Sequence, residues 1–218
     1  RATCLGGPVT RTVEVDYLVV GAGASGMAFT DALTDHADVR VALVDRRPGV
    51  GGHWRNAYPF VRLHQASSFY GVASTVLGGG RIQADGPEAG LHERADQPTI
   101  CAYYDEVLDR MLASGRVELF AGCEYVGDRT FASTTSGERF EVPERCRVVD
   151  ARYLSPDIPA ETPPKFGVGD GARVIPVNDL PRTQEPPSRY VIVGSGKTAT
   201  DACVWLLGRG VDPDAICW

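Results

Sequence analysis

The chain has 218 residues, 43% of them hydrophobic and 23% charged, with a net charge of −6 at neutral pH. That length allows one to two domains, and the composition describes a soluble globular protein with material for a core. The acidic balance argues against nucleic acid or an anionic membrane as partner, and no run approaches the roughly 18 apolar residues of a membrane-spanning helix.

The N-terminus, RATCLGGPVTRTV, carries no apolar h-region, so no secretory signal is expected. It also lacks an initiator Met, and the expectation is that the chain is not a complete native product. Residues 17–20, Tyr-Leu-Val-Val, form an apolar β-branched run expected as a buried parallel strand. They lead into Gly21, Gly23 and Gly26 at G-x-G-x-x-G spacing. Helix formers follow over 27–33, and a second strand over 39–44 ends on Asp45. Gly21 permits the tight turn, Gly23 lets the backbone approach a pyrophosphate, and Gly26 lets helix and strand pack closely. Ala24 and Ser25 belong to the same turn, where free N–H groups at the positive end of the helix hold the diphosphate. Asp45 stands about 20 residues beyond the glycines, where an acid accepts hydrogen bonds from a ribose. Together these parts specify a dinucleotide site.

Residues 46–72 are a loop rich in Gly, Pro and aromatics, and 78–98 lack any period and are expected as a surface excursion. Ile100, Tyr103, Tyr104, Val107, Leu108, Met111 and Leu112 recur at helical spacing, with Ser114-Gly115 as the stop. Residues 117–120 are the expected third parallel strand. Short alternating runs over 124–153 predict a β-meander ending in the strand CRVVDARY. Pro156, Pro159, Pro163 and Pro164 mark a linker, followed by a strand candidate over 172–177.

A second fingerprint closes the chain. The apolar residues 189–193 precede Gly194, Gly196 and Ala199, giving G-x-G-x-x-A with Ser195, Lys197 and Thr198 in the turn. The string GSGKT is not a P-loop, because that motif needs a glycine where Val191 stands. Lys197 and Thr198 would add a cation and a hydroxyl near a diphosphate. Two such fingerprints argue for electron transfer between two bound cofactors. Only one strand, one helix and a strand start at 215–218 accompany the second, which would leave an open sheet edge. The chain is therefore expected to end within its second domain. The six cysteines lack close pairs, which argues against a metal site or a redox dithiol and for buried thiols in a reducing cytosol.

The order of these features resembles the flavin-containing monooxygenase group, including its ketone-oxygenating relatives. Asp45-Arg46 followed by Gly51-Gly52-His53-Trp54 is similar to the family's acid, base and G-G-x-W, a loop that wraps the flavin diphosphate. Tyr58, Pro59, Arg62 and Ser67 match Y-P-G-x-R-x-D-x-x-S, with His64 in place of the Asp. Residues 194–201 are similar to G-x-G-x-S-G-x-D, with Thr198 for Ser and Ala199 for Gly.

The resemblance implies a Rossmann-like α/β FAD/NAD(P)-binding fold, a parallel sheet with helices and a β-meander, with its second dinucleotide-binding domain truncated. It implies FAD at the first fingerprint and NAD(P)H at the second. Residues 14–155 would form the FAD-binding domain, 156–188 the proline-rich linker with a connecting strand, and 189–218 the start of the NAD(P)-binding domain. Arg46, Gly52, His53 and Trp54 would join the flavin site. Arg62, His64 and Gln65 are candidates for the flavin's reactive edge, where a cation or donor stabilises negative charge on reduced flavin. The substrate would be a small molecule, and the oligomeric state stays open.

Two departures stand out. The family's F-x-G-x-x-x-H motif before the second fingerprint is absent, and Asp150-Ala151-Arg152 replaces its A-T-G. The readings are an oxygenase, a flavin reductase, dehydrogenase or oxidase without oxygen insertion, or a non-catalytic nucleotide-binding fragment.

Overall fold

A computed structural model describes residues 10–86, 88–152, 158 and 160–218. Cys4, Tyr153, Pro156 and Pro159, and with them the expected domain boundary at 155/156, lie outside the described residues. The first part of the chain runs β1 (Thr10–Thr12), β2 (Tyr17–Val20), α1 (Ala24–His36), β3 (Val41–Asp45), β4 (Gly71–Val72), β5 (Thr75–Val76) and α2 (Gln97–Ala113). It continues with β6 (Val117–Ala121), β7 (Cys123–Gly127), β8 (Thr130–Ser133), β9 (Arg139–Glu141) and β10 (Arg147–Asp150). The last part holds β11 (Tyr190–Val191), α3 (Lys197–Gly208) and β12 (Ile216–Cys217).

The central sheet is parallel throughout, in the order β10-β2-β3-β6. Its inner strands are covered on both faces, which is why β2 and β3 are continuous apolar runs rather than alternating ones. Val19, Val41 and Leu43 face α1 and α2, meeting Met27, Ile100, Tyr104 and Val107. Leu18, Val20, Ala42 and Val44 face the other way, onto Phe120, Phe131 and Phe140. That second layer is the meander β7-β8-β9, with β1 added parallel to β9. The expected meander strand at 146–153 is a correction: β10 leaves the meander and pairs with β2 in the central sheet.

Helix α2 begins inside the expected excursion. Asp96 accepts from the Thr99 N–H and Pro98 occupies the first turn, where its missing donor is no loss. The helix stops at Ser114, and Gly115 takes a φ of 70°. The strand candidate at 172–177 does not form: residues 172–176 are irregular, and Val177 opens a short 3₁₀ segment, Val177–Arg182. Val174 and Ile175 are exposed there, and a β-branched run without a partner strand gains nothing from extending. Cys101, Cys123 and Cys146 are buried as expected, whereas Cys217 is exposed on β12 and Cys203 half-buried on α3. No helix among the described residues is long and apolar enough to cross a membrane.

Phe131 is fully buried, stacked on Phe140 at 5.0 Å and edge-on to Phe120 at 4.8 Å. Phe131→Ala should therefore lower stability by about 3–5 kcal/mol in urea unfolding, because the two remaining rings cannot close the cavity.

Candidate functional site

The first fingerprint is built around one close approach. A Cβ on Gly26 would lie 1.8 Å from the Gly21 carbonyl oxygen, so only glycine lets α1 sit this near the end of β2. Gly21 has a φ of 103° and donates its N–H to the Val44 oxygen at 2.7 Å. The turn thus aims the N-terminus of α1 over the carboxyl edge of the sheet. Gly23 caps the helix without a side-chain bond, and the first turn holds no acid. The N–H groups of Ala24, Ser25 and Gly26 therefore lie at the positive end of the helix with no side-chain cap to satisfy them. That arrangement fits a diphosphate.

Asp45 does more than the sequence suggests. It is buried, with Oδ2 accepting from the Ala22 N–H at 2.7 Å and Oδ1 from the Arg47 N–H at 2.8 Å. The carboxylate clips the glycine turn to the end of β3, and only its remaining lone pairs are free for a ribose. Arg46 is exposed beside it. The loop that follows closes over the turn. The Gly51 N–H donates to the Ala22 oxygen at 2.8 Å, and Gly52, with a φ of 59°, faces Gly23 so closely that a Cβ would come 2.9 Å from its Cα. His53 and Trp54 stack at 5.3 Å in the 3₁₀ turn Gly52–Asn56, and the Trp54 indole donates to the Tyr70 hydroxyl at 2.6 Å. Burial, and then the nearby Arg47 cation, hold the His53 pKa below its ordinary value.

On the far flank, Ala151 and Arg152 stand against Gly21. Arg152 makes a two-point pair with Asp150 at 2.9 and 2.8 Å, and that contact holds the Asp150 carboxyl down at about 2. The Asp-Ala-Arg replacement thus keeps a small residue under the turn and adds an exposed ion pair.

Arg62, His64 and Gln65 are exposed on an extended stretch that alternates with buried Val61 and Leu63 and pairs with residues 93–97. Arg62 lies within electrostatic reach of Glu88. No hydrogen bond or ion pair among the described residues joins these three to the fingerprint.

The second fingerprint has the same turn with looser packing. Gly194 takes a φ of 130°, and its added Cβ would meet the Ala199 Cβ at 3.9 Å, the wider approach that Ala in the third position requires. Gly196 caps α3, and Ser195 and Thr198 are exposed. Lys197 does not extend into the turn; its ammonium pairs with Asp201 one helical turn on. Asp201 also accepts from the Tyr58 hydroxyl at 2.7 Å, and Phe60 stacks on Trp205 at 5.1 Å. Tyr58 and Phe60 thereby dock α3 against the loop of the first fingerprint. Sequence reasoning missed this joint. Its one signal is an aromatic-Pro-aromatic triplet, with Lys197 and Asp201 spaced at i,i+4.

Residues 19–69 match the family described as an NAD(P)-binding Rossmann-like domain. The fold is a dinucleotide-binding Rossmann fold. Uncharacterized proteins of Mycobacterium bovis and Mycobacterium tuberculosis are 46% identical over 209 residues, covering 95% of this chain and 38% of each relative. The chain thus spans 38% of the length of these curated relatives. Among solved structures, the closed form of cyclohexanone monooxygenase aligns with a TM-score of 0.52 at 21% identity, over 92% of this chain and 37% of that one. Its rotated, cyclohexanone-bound form aligns with a TM-score of 0.51 at 21% identity, over 90% and 37%. At that identity the likeness is one of fold.

Two consequences can be measured. Gly26→Ala should cost about 1–3 kcal/mol through overpacking. Gly196→Ala, at a φ of −90° with nothing within 4 Å, should cost at most about 1 kcal/mol as a poorer helix cap. Equal losses in urea unfolding would contradict the difference in packing. His53 supplies the second. Its folded pKa is depressed, so the stability it lends is complete above about pH 6.5 and declines below, where the unfolded chain takes up a proton the folded one resists. His53→Gln should therefore lose less stability than the parent chain between pH 7 and pH 5.5.

Proposed function

We propose that this chain is the cofactor-binding portion of an FAD-dependent, NAD(P)H-using oxidoreductase of the flavin monooxygenase type, acting on a small molecule. The observation that carries the reading is the pair of glycine turns, each opening a helix with no acid in its first turn, joined through Tyr58 and Phe60. The resemblance of residues 45–67 to the family's flavin loop, and the fold shared with cyclohexanone monooxygenase, support the same reading.

The first turn fits FAD on the geometry of its own residues. Ala24, Ser25 and Gly26 would bind the diphosphate through backbone N–H groups, with Gly23 and Gly52 leaving the space a Cβ would fill. Asp45 would accept from the ribose with the lone pairs the backbone leaves free, and Arg46 would lie beside it. His53 and Trp54 would wall the diphosphate from water, His53 as a neutral ring. Bound there, the flavin would supply the redox chemistry, taking electrons from the nicotinamide and passing them to O₂. Gly194, Ser195, Gly196, Lys197 and Thr198 would hold the NAD(P)H diphosphate. Arg62, His64 and Gln65, being exposed and unpaired with the fingerprint, are the side chains free to turn toward the flavin's reactive edge. Residues 14–155 and 189–218 would be the two cofactor domains, joined by 156–188.

A second reading, a reductase, dehydrogenase or oxidase without oxygen insertion, is favoured by the absent His motif before Gly194 and by Asp150-Ala151-Arg152 at the strand end. Oxygenated product against bare H₂O₂ release separates the two.

Gly23→Val puts a branched side chain between the turn and Gly52, and should abolish co-purifying FAD. Gly196→Val should leave FAD content intact and slow flavin bleaching by NAD(P)H in stopped flow. Full flavin content in Gly23→Val would reject the first assignment; loss of FAD in Gly196→Val with unchanged nicotinamide kinetics would reverse the two.

A further inference from the structure

Lys197 is the first residue of α3, at the turn where a diphosphate would sit. Side chains on a helix tilt toward its N-terminus, so the plain direction for this lysine is into the anion site. It turns the other way instead, to pair with Asp201. Both partners are largely buried, with side-chain exposures of 26% and 22%, so the pair is shielded more than a surface ion pair. Stripping the ammonium from a carboxylate that has no other partner would leave a desolvated charge, which is costly. Asp201 has another partner. The Tyr58 hydroxyl donates to the same Oδ2 at 2.7 Å; burial and then this carboxylate push the tyrosine pKa up against a smaller opposing contact with Thr198, so the phenol stays a donor. Tyr58 itself belongs to the loop that leaves Gly52 and His53 on the first fingerprint, and Phe60 on Trp205 fixes that loop to α3.

We propose that Asp201 is an internal counter-ion competing with the nucleotide diphosphate for Lys197, and that Tyr58 sets the balance by keeping Asp201 hydrogen-bonded when the lysine leaves. The inference rests on the assignment of the second fingerprint to NAD(P)H. In the free protein Lys197 is held by Asp201. When an anionic diphosphate arrives, the long lysine stem swings one turn toward it, and Asp201 remains satisfied by Tyr58. Tyr58 and Asp201 are thus positioning residues, acting through Lys197 rather than on the cofactor. Because Tyr58 sits on the loop packed over Gly23, the affinity of the second site is tied to the seating of the first.

The test is a double-mutant cycle on nucleotide affinity, measured by calorimetric titration of the full chain with NAD⁺ and NADP⁺. Asp201→Asn frees Lys197 and should tighten binding by roughly 3-fold. A residue that merely braces α3 would loosen it. Tyr58→Phe leaves Asp201 with Lys197 as its one strong partner and should weaken binding by roughly 3-fold. In the Asp201→Asn background, Tyr58→Phe should have a clearly smaller effect, limited to its contact with Thr198, since no carboxylate remains to hold the lysine. Lys197→Gln should weaken binding and abolish the response to Asp201→Asn. If Asp201→Asn does not fold, Asp201→Ser is read the same way. Unchanged or weaker binding in the Asp201 variants, or an equal Tyr58→Phe effect in both backgrounds, overturns the competition while leaving the nucleotide site standing. No binding of either nucleotide by the parent chain overturns both the site and the competition.

Discussion

The close approach of α1 to the end of β2 governs the rest of the molecule. Because Gly26 has no side chain, the helix can sit against the Gly21 carbonyl, and its N-terminus is carried to the carboxyl edge of the parallel sheet. That is where an open α/β sheet offers a ligand crevice. Everything around the turn serves to keep it in place: Asp45 clips Ala22 to β3, Gly51 bonds the Ala22 carbonyl, and Ala151 with Arg152 fills the other flank. A larger residue at 26 would push the helix outward and loosen each of these contacts together.

The sheet itself is positioned by two different coverings. Helices α1 and α2 bury one face with aliphatic side chains and Tyr104, and the aromatic cluster Phe120–Phe131–Phe140 seats the meander on the other. The two faces are thus distinct in shape as well as composition. The helical side carries the glycine turn and the loop that packs over it, and the meander covers the sheet's other face.

Between the fingerprints runs a short loop with two roles. Gly52 packs on Gly23 at one end, and eight positions on Phe60 stacks on Trp205 of α3. Asn178 adds a bond to the Asn56 carbonyl at 2.8 Å, bracing the loop from the side. A displacement of this loop therefore moves the surroundings of both glycine turns. Aromatic and hydrogen-bonded contacts along it thereby set the spacing of the two turns.

The sequence by itself determined the glycine turns, the strands that feed them and the helices that leave them. Those features rest on local sterics: a positive φ at Gly21 and Gly194, the absent Cβ at Gly26, and apolar runs of strand length. It also determined the helical period of Ile100, Tyr104, Val107 and Met111, since one face of α2 must be apolar wherever it packs. Only the tertiary structure decided the partners. β10 and β1 take their places by pairing with strands distant in the chain, and residues 172–176 stay irregular because no strand among the described residues pairs with them. Asp45 was legible as an acid at a strand end, but not as the clip that holds Ala22. Lys197 was legible as a cation at a helix start, but its pairing with Asp201 and the bond from Tyr58, 143 positions away, were not. A hydrogen bond between remote residues leaves no period or spacing to read, because its geometry exists only once the intervening chain has folded.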